Sequence, residues 1–93
     1  MMLPARLEYD ITAARIAGAN GKVAEEMTRL QRALDEARKH GYGGYPYEIQ
    51  LAMAEAQIRA GQRTTGQLRM QELEKDARSK GYVGIADRAA GKT

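Results

Sequence analysis

The charged residues of this sequence are spaced as ion pairs along helix surfaces, and they do not form a reactive cluster. Acids are followed four residues later by bases at Glu25–Arg29, Asp35–Lys39, Glu36–His40, Glu55–Arg59, Glu74–Arg78 and Asp76–Lys80. An acid–base catalyst needs two carboxyl groups close together in a pocket, with one of them desolvated. Pairs at i,i+4 belong to solvated helix faces, so they predict protein surface here and no active site.

The residue types exclude several other kinds of site. The sequence has no Cys, which rules out disulfides, thiolate nucleophiles and Cys-based metal centres. The single His, His40, excludes a pair of His ligands and suits the end of a helix, where a cation is stabilised by the helix dipole. The ending Gly91–Thr93 lacks the glycine spacing and the following helix of a phosphate-binding loop. We therefore expect no enzyme activity, no metal and no cofactor.

The apolar residues predict a small, all-α domain. Leu, Ile, Val and Phe together make up only 14 of the 93 residues, whereas Ala contributes 16. A core built from Ala requires backbones that approach closely, which helices achieve better than sheets do. The net charge of +3 is too small to indicate a disordered chain. We expect one domain over residues 1–93, with no segment in a strand.

The start of the chain does not resemble a targeting segment. The first ten residues lack the apolar stretch of a signal peptide, and they contain Glu8 and Asp10, which disfavour a transit peptide. No stretch approaches the roughly 18 apolar residues of a membrane span. The expectation is a cytoplasmic protein without membrane contact.

The sequence repeats itself with a period of 40 residues. Residues 5–44 align with residues 45–84 without a gap and share ten identical positions. These identities include Ala14 with Ala54, Gly21 with Gly61, Arg29 with Arg69, and Gly41 with Gly81. A fixed period of 20–50 residues indicates stacked supersecondary units. We predict repeat 1 at about residues 4–41 and repeat 2 at about residues 45–81.

Each copy is predicted to form two antiparallel helices. In the first copy, apolar residues at helical spacing indicate helices at about residues 4–19 and 22–40, with Pro4 in the first turn. In the second copy Pro46 starts the first helix, and glycines end both helices as in the first copy.

Two details of the second copy are also predicted. Thr64 and Gln67 fit a capping box at the start of its second helix. Residues 83–90 fit a short helix where a third copy would begin, and we expect this helix to cap the open end.

This pattern resembles the tetratricopeptide repeat (TPR), in a long variant of about 40 residues. The residues that carry the resemblance are the small residues Ala14 and Ala54, the turn residues Gly21 and Gly61, and the pair Ala33–Leu34. The resemblance covers about residues 5–90. The sequence departs from the family at Glu26, where a small residue is preferred, and at Asp10, Gln50, Ala17 and Gln57, where large aromatics are missing.

The resemblance implies a right-handed α-solenoid fragment that serves as a protein–protein interaction scaffold, as in bacterial signalling and transcription-regulator proteins. In that architecture the first helix of each repeat lines a concave groove that holds a peptide. The matching positions are Glu8, Ile11, Arg15, Glu48, Leu51, Glu55 and Arg59. Arg15 and Glu55 occupy the same position in successive copies and are expected to bridge each other across the groove. A groove of this length predicts a low-affinity or composite site.

A basic edge is a second candidate surface. Stacked repeats place their turns side by side, and the residues around these turns include Lys22, Arg63 and Arg69. Such an edge can steer an anionic partner. It lacks the dense Lys and Arg or the stacking aromatics of most nucleic-acid sites, so nucleic acid is disfavoured as the partner.

The tyrosines near the linker between the copies are a third candidate. Tyr45 and Tyr47 are candidate aromatic anchors for a partner, because tyrosine combines area, rigidity and a hydroxyl group. Tyr42 and Tyr82 follow glycine stops, so we predict that they fold back on the preceding helix.

The sequence therefore favours a non-catalytic scaffold module that binds a protein or peptide, either alone or as the C-terminal part of a larger signalling or regulatory protein. The alternative is an architectural segment that caps an array or forms a homodimer without a ligand. Oligomerisation is one way in which a small domain gains buried area. A weak nucleic-acid or anion binder that uses the basic edge is the remaining alternative.

Overall fold

The computed structural model describes residues 5–41 and 43–91, apart from the side chains of residues 5, 6 and 8. This part of the chain is nearly all helix and contains no strand, so the all-α prediction is confirmed. The helices are α1 (Ala5–Ala19), α2 (Val23–His40), α3 (Tyr45–Arg59), α4 (Arg63–Ser79) and α5 (Val83–Ala89). Within the described residues, no helix is long and apolar enough to cross a membrane.

Each helix packs against the next one along the chain. α1 lies on α2, α2 on α3, α3 on α4 and α4 on α5, and α3 also contacts α5. The molecule measures 34 × 31 × 20 Å. A helix with its side chains is about 10–12 Å across, so the shortest dimension corresponds to two layers of helices.

The helix bounds follow the period of the sequence closely. α1 and α3 are each 15 residues long and start 40 residues apart, and α2 and α4 start at Val23 and Arg63. Pro46 lies in the first turn of α3, as predicted. Pro4, the predicted start of the first helix, lies outside the described residues.

The α1–α2 and α3–α4 turns are closed by the same backbone hydrogen bond. The Lys22 N–H donates to the Ala17 carbonyl over 2.8 Å, and the Gln62 N–H donates to the Gln57 carbonyl over 2.8 Å. Gly21 at φ 75° and its counterpart at φ 90° in the second turn lie in the left-handed region, which glycine adopts without steric cost. The predicted glycine stops are confirmed at these turns.

The connection to α5 differs from the one between α2 and α3. In the α4–α5 turn the Tyr82 N–H donates to the Ala77 carbonyl over 2.8 Å, as in the two turns above. Between α2 and α3, Gly43 adopts φ 47°. Val83 occupies the position equivalent to Gly43, and a β-branched residue cannot take that conformation without strain. Hence α5 begins at Val83, two residues before the place where a third copy of α1 would start.

The predicted capping box is wrong. α4 already begins at Arg63, and Gln62 precedes it without a side-chain capping bond. The Gln62 carbonyl accepts the Gly66 N–H at 2.9 Å, so the first helical turn includes Thr64. Thr64 therefore lies too far along the helix to cap it.

The first core fills the space between α1, α2 and α3. It consists of Leu7, Ala14, Leu30, Ala33, Leu34, Ala37, Ile49 and Met53. Half of these buried residues come from one face of α2, and two of those four are alanines. The small side chains allow the close helix contacts that the composition predicted.

The second core lies between α3, α4 and α5 and consists of Tyr47, Leu51, Leu73, Ala77 and Ala86. α3 contributes to both cores, because Ile49 and Met53 face the first core while Tyr47 and Leu51 face the second. α3 is thus buried on two sides and joins the two halves of the molecule.

Gly66 marks a close approach between α3 and α4. A Cβ atom at Gly66 would lie 2.5 Å from Ile58 Cγ1 and 2.9 Å from the carbonyl oxygen of Ala54. The second contact is with backbone, which cannot move aside as a side chain can. The packing of these two helices therefore requires glycine at this position.

We expect Gly66→Ala to lower the free energy of unfolding by roughly 1–3 kcal/mol, because overpacking must shift the backbone of α3 or α4. Alanine is a better helix former than glycine, so helix propensity alone would make Gly66→Ala stabilising. A loss of stability must therefore come from the close contact. Gly84→Ala in α5 is the matched control, since a Cβ there would meet no atom within 4 Å. Urea unfolding followed by circular dichroism compares the variants. Equal stability of the two would contradict the close approach.

Candidate functional site

An open groove of about 650 Å³ runs along α1, α3 and α5, with α2 beneath it. Its apolar lining consists of Ile11, Ala14, Leu30, Ile49, Ala52 and Ile85. Its charged lining consists of Arg15, Glu26, Glu48, Glu55, Arg59 and Arg88. The groove thus combines an apolar surface with charges of both signs.

Most of the groove residues predicted from the sequence line this cavity. They are Ile11, Arg15, Glu48, Glu55 and Arg59. Leu51 does not, because it faces the second core, where it packs with Ala86 of α5. The side chain of Glu8 lies outside the described residues.

Glu26 and Arg59 form an ion pair between α2 and α3 at one end of the groove. Arg59 Nη1 donates to Glu26 Oε1 over 3.1 Å. The Glu26 side chain is 8% exposed, whereas that of Arg59 is 54% exposed. Gly18 makes room for the carboxylate, since a Cβ at Gly18 would lie 2.6 Å from Glu26 Oε2. A buried carboxylate is thus held by a cation at the surface.

Glu48 and Arg88 form a second ion pair, between α3 and α5. Arg88 Nη1 lies 2.9 Å from both carboxylate oxygens of Glu48. Both side chains are nearly half exposed, so solvent screens this pair strongly. Of the two pairs, the one at Glu26 therefore contributes more to fixing the groove.

Arg15 and Glu55 are the groove charges that remain without an ion pair among the described residues. The predicted bridge between them is wrong, because no ion pair joins these two side chains in this part of the chain. Both residues are exposed and line the groove. Their charges therefore stay exposed at the groove surface.

Glu26 and Arg88 also line the groove, although the sequence did not predict them there. Glu26 carried one signal, because it is an acid at a position where the repeat family prefers a small residue. Arg88 follows Glu48 by 40 residues and lies in the helix predicted as a cap. Its place on the groove depends on how α5 packs on α3, which the spacing alone does not give.

The predicted i,i+4 pairs form only in part. Glu36–His40 at 3.0 Å, Glu74–Arg78 at 3.2 Å and Asp76–Lys80 at 3.6 Å are present. Two arginines instead reach across to a neighbouring helix: Arg29 lies 3.5 Å from Asp10, and Arg59 binds Glu26. Asp35 accepts a hydrogen bond from Gln31 at 3.0 Å. The cross-helix partners are the buried acids, where a cation is needed most.

The two candidate aromatic anchors lie in different surroundings. Tyr45 is 39% exposed and lines the groove. The prediction that Tyr47 is an anchor is wrong, because its side chain is buried in the second core. Its ring centroid lies 5.1 Å from that of Tyr82. Tyr82 packs against the second core, as its predicted role requires. Tyr42 lies outside the described residues.

The predicted basic edge has fewer exposed cations than the sequence indicated. Lys22 and Arg63 are exposed. Arg69 instead turns inward, and its Nε donates to the Oε1 of the buried Gln57 over 2.9 Å. Arg69 therefore satisfies a buried amide, which leaves less positive charge for an anionic partner.

Two cations away from the groove have raised pKa values. A side-chain hydrogen bond with Tyr47 and the charge of Asp76 raise the pKa of Lys80. Hydrogen bonds with Asp87 and Glu74 raise the pKa of Arg78. Both shifts favour the charged form, so these residues act as fixed cations that join α4 to its neighbours.

Comparisons with protein-family models, with curated proteins and with solved structures found no match to this chain.

We expect the Glu26–Arg59 pair to be energetically coupled. A double-mutant cycle with Glu26→Gln and Arg59→Gln should give a coupling of about 1 kcal/mol, since one partner is buried and the other remains partly screened. The measurement is the free energy of urea unfolding for the four proteins of the cycle.

The control is the same cycle at Glu74 and Arg78, a pair of the same residue types four residues apart in α4. Solvent screens this exposed pair, so we expect a smaller coupling there. A coupling at Glu26–Arg59 no larger than that of the control would show that burial of Glu26 does not strengthen the pair.

Proposed function

We propose that this chain is a non-catalytic interaction module whose groove holds a segment of a partner protein. The observation that carries the proposal is the open cavity of about 650 Å³, with an apolar lining and charged borders. Ligand sites typically combine a mostly apolar surface with a few placed polar groups. A peptide that presents apolar side chains to Ile11, Ile49 and Ile85 fits such a surface.

The proposal includes a TPR-like architecture. The α1–α2 and α3–α4 hairpins would be two successive repeats of a right-handed solenoid, and α5 would cap the open end. Three observations support this: the 40-residue offset of the helices, the equivalent turn hydrogen bonds, and the burial of Ala14 and Ala54 to 1% and 0% exposure. The groove would then be the concave face of the stack.

The charges of the groove define the chemistry of the partner. Arg15 and Glu55 are accessible and unpaired among the described residues, whereas Glu26 and Glu48 already bind arginines. A complementary segment would carry an acid for Arg15, a base for Glu55 and apolar residues between them. Because the other two acids are neutralised by arginines, the groove is better suited to binding than to acid–base chemistry.

A selection of random dodecapeptides displayed on phage tests this function. Enriched peptides should bind with modest affinity, and Arg15→Glu should weaken them by about tenfold, because it places like charges together. Arg32→Glu is the matched control, since Arg32 is an exposed arginine of α2 that does not line the groove. Equal weakening by both variants would place the binding outside the groove.

Methyl NMR gives an independent readout of the same binding. The chain has five isoleucines, and three of them, Ile11, Ile49 and Ile85, line the groove. An enriched peptide should shift the methyl signals of these three and leave those of Ile16 and Ile58 in place. Shifts confined to Ile16 or Ile58 would contradict the proposed function.

A further inference from the structure

α1 carries an apolar face on the side away from the groove. Tyr9 is 63% exposed and Ile16 is 58% exposed. With the half-buried Ala13 between them, they lie along a shallow depression of about 260 Å³. We call Tyr9, Ala13 and Ile16 the α1 outer face.

The equivalent face of α3 is covered by another helix. Positions 40 residues later are Ile49, Met53 and Ala56, which are 3%, 2% and 0% exposed. Ile49 and Met53 belong to the first core, where they meet apolar residues of α2. α3, which has the same length as α1, thus uses these positions to pack against a second helix. The equivalent positions of α1, which are the α1 outer face, are not covered by any helix of the described residues.

We propose that a second copy of this chain covers the α1 outer face, with the two α1 helices antiparallel about a twofold axis through Ala13. The face is complementary to itself in shape. Ala13 is small and lies between two large residues, four positions after Tyr9 and three before Ile16. Antiparallel packing brings the two Ala13 residues together and sets Tyr9 of each copy against Ile16 of the other.

The charges beside this face are also complementary under the same symmetry. α2 borders the face, with Glu25 at the depression that contains Ile16 and with the Arg29 guanidinium 5.6 Å from the Tyr9 ring. A twofold axis across α1 places α2 of both copies on one side, so that Glu25 of each copy faces Arg29 of the other. Glu25 has no ion-pair partner among the described residues. Arg29 meets Asp10 through Nη1, so other N–H groups of its guanidinium remain for Glu25 of the other copy without breaking the pair with Asp10.

The groove stays open in this dimer. Ile11 and Arg15, which line the groove, lie on a different side of α1 from Tyr9 and Ile16. Dimerisation and partner binding are therefore separate properties, and each can fail without the other. The added contact would enlarge the thin, alanine-rich core of a small domain.

Sedimentation equilibrium over a wide concentration range tests the dimer. The wild-type chain should approach twice its monomer mass, and Ile16→Asp should raise the dimer Kd by about tenfold or more, because it buries a charge in the contact. Leu68→Asp is the matched control: Leu68 is 54% exposed in α4, outside the α1 outer face. Circular dichroism verifies that both variants remain helical.

A wild-type chain that stays monomeric at every concentration would overturn the proposal and leave the face for a helix of another protein. The same conclusion follows if Ile16→Asp and Leu68→Asp change the Kd equally.

Disulfide trapping tests the symmetry, since the chain has no cysteine of its own. A disulfide needs Cα atoms less than about 7 Å apart, which two copies of residue 13 meet only when they face each other on the axis. Ala13→Cys should form a covalent dimer under mild oxidation, and Leu68→Cys should not. Equal cross-linking of both variants, or of neither, would contradict the antiparallel arrangement.

Discussion

The close contact between the two helices of each hairpin determines much of this structure. At this contact one helix must carry a glycine, but the two hairpins place it on opposite helices. In the first hairpin Gly18 of α1 makes room for Glu26 of α2, whereas in the second Gly66 of α4 makes room for Ile58 of α3. Residues 18 and 58, and likewise 26 and 66, are 40 positions apart. The hairpins have thus kept the contact and exchanged the large and small partners.

This exchange gives the two hairpins different chemistry at equivalent positions. Ile58 fills its space with an apolar side chain, whereas Glu26 brings a carboxylate that recruits Arg59 from α3. The arginines at the equivalent positions 29 and 69 also have different partners. Arg29 pairs with the buried Asp10, whereas Arg69 donates to the buried Gln57. Gln57 is not the counterpart of Asp10, because the 40-residue repeat takes Asp10 to position 50, seven residues before Gln57. Each hairpin thus holds one buried polar group of its first helix with an arginine of its second.

The features that sequence reasoning captured depend on local spacing. Glycine and proline mark the helix ends, and a helical period is sufficient to place Ile11 and Arg15 on one face. Several of the errors occur where a third element decides the outcome. Leu51 has the spacing of a groove residue, but α5 covers it together with Tyr47. Arg59 has an acid four residues before it, yet a buried carboxylate on another helix binds it instead. Such partners follow from the packing, which a linear pattern does not contain.

The burial of Glu26 determines which charges the groove would offer to the proposed partner. An acid on a bound segment would compete with Glu26 for Arg59, and withdrawing the arginine would leave a carboxylate buried and unpaired, which is costly. Arg15 carries no such penalty, because it holds no ion pair among the described residues of the groove. In the proposed function Arg15 would therefore be the cation that meets the partner, while Arg59 is a structural part of the groove wall. Gly18 creates the space for the carboxylate that fixes Arg59, so in the proposed function this glycine would also affect recognition.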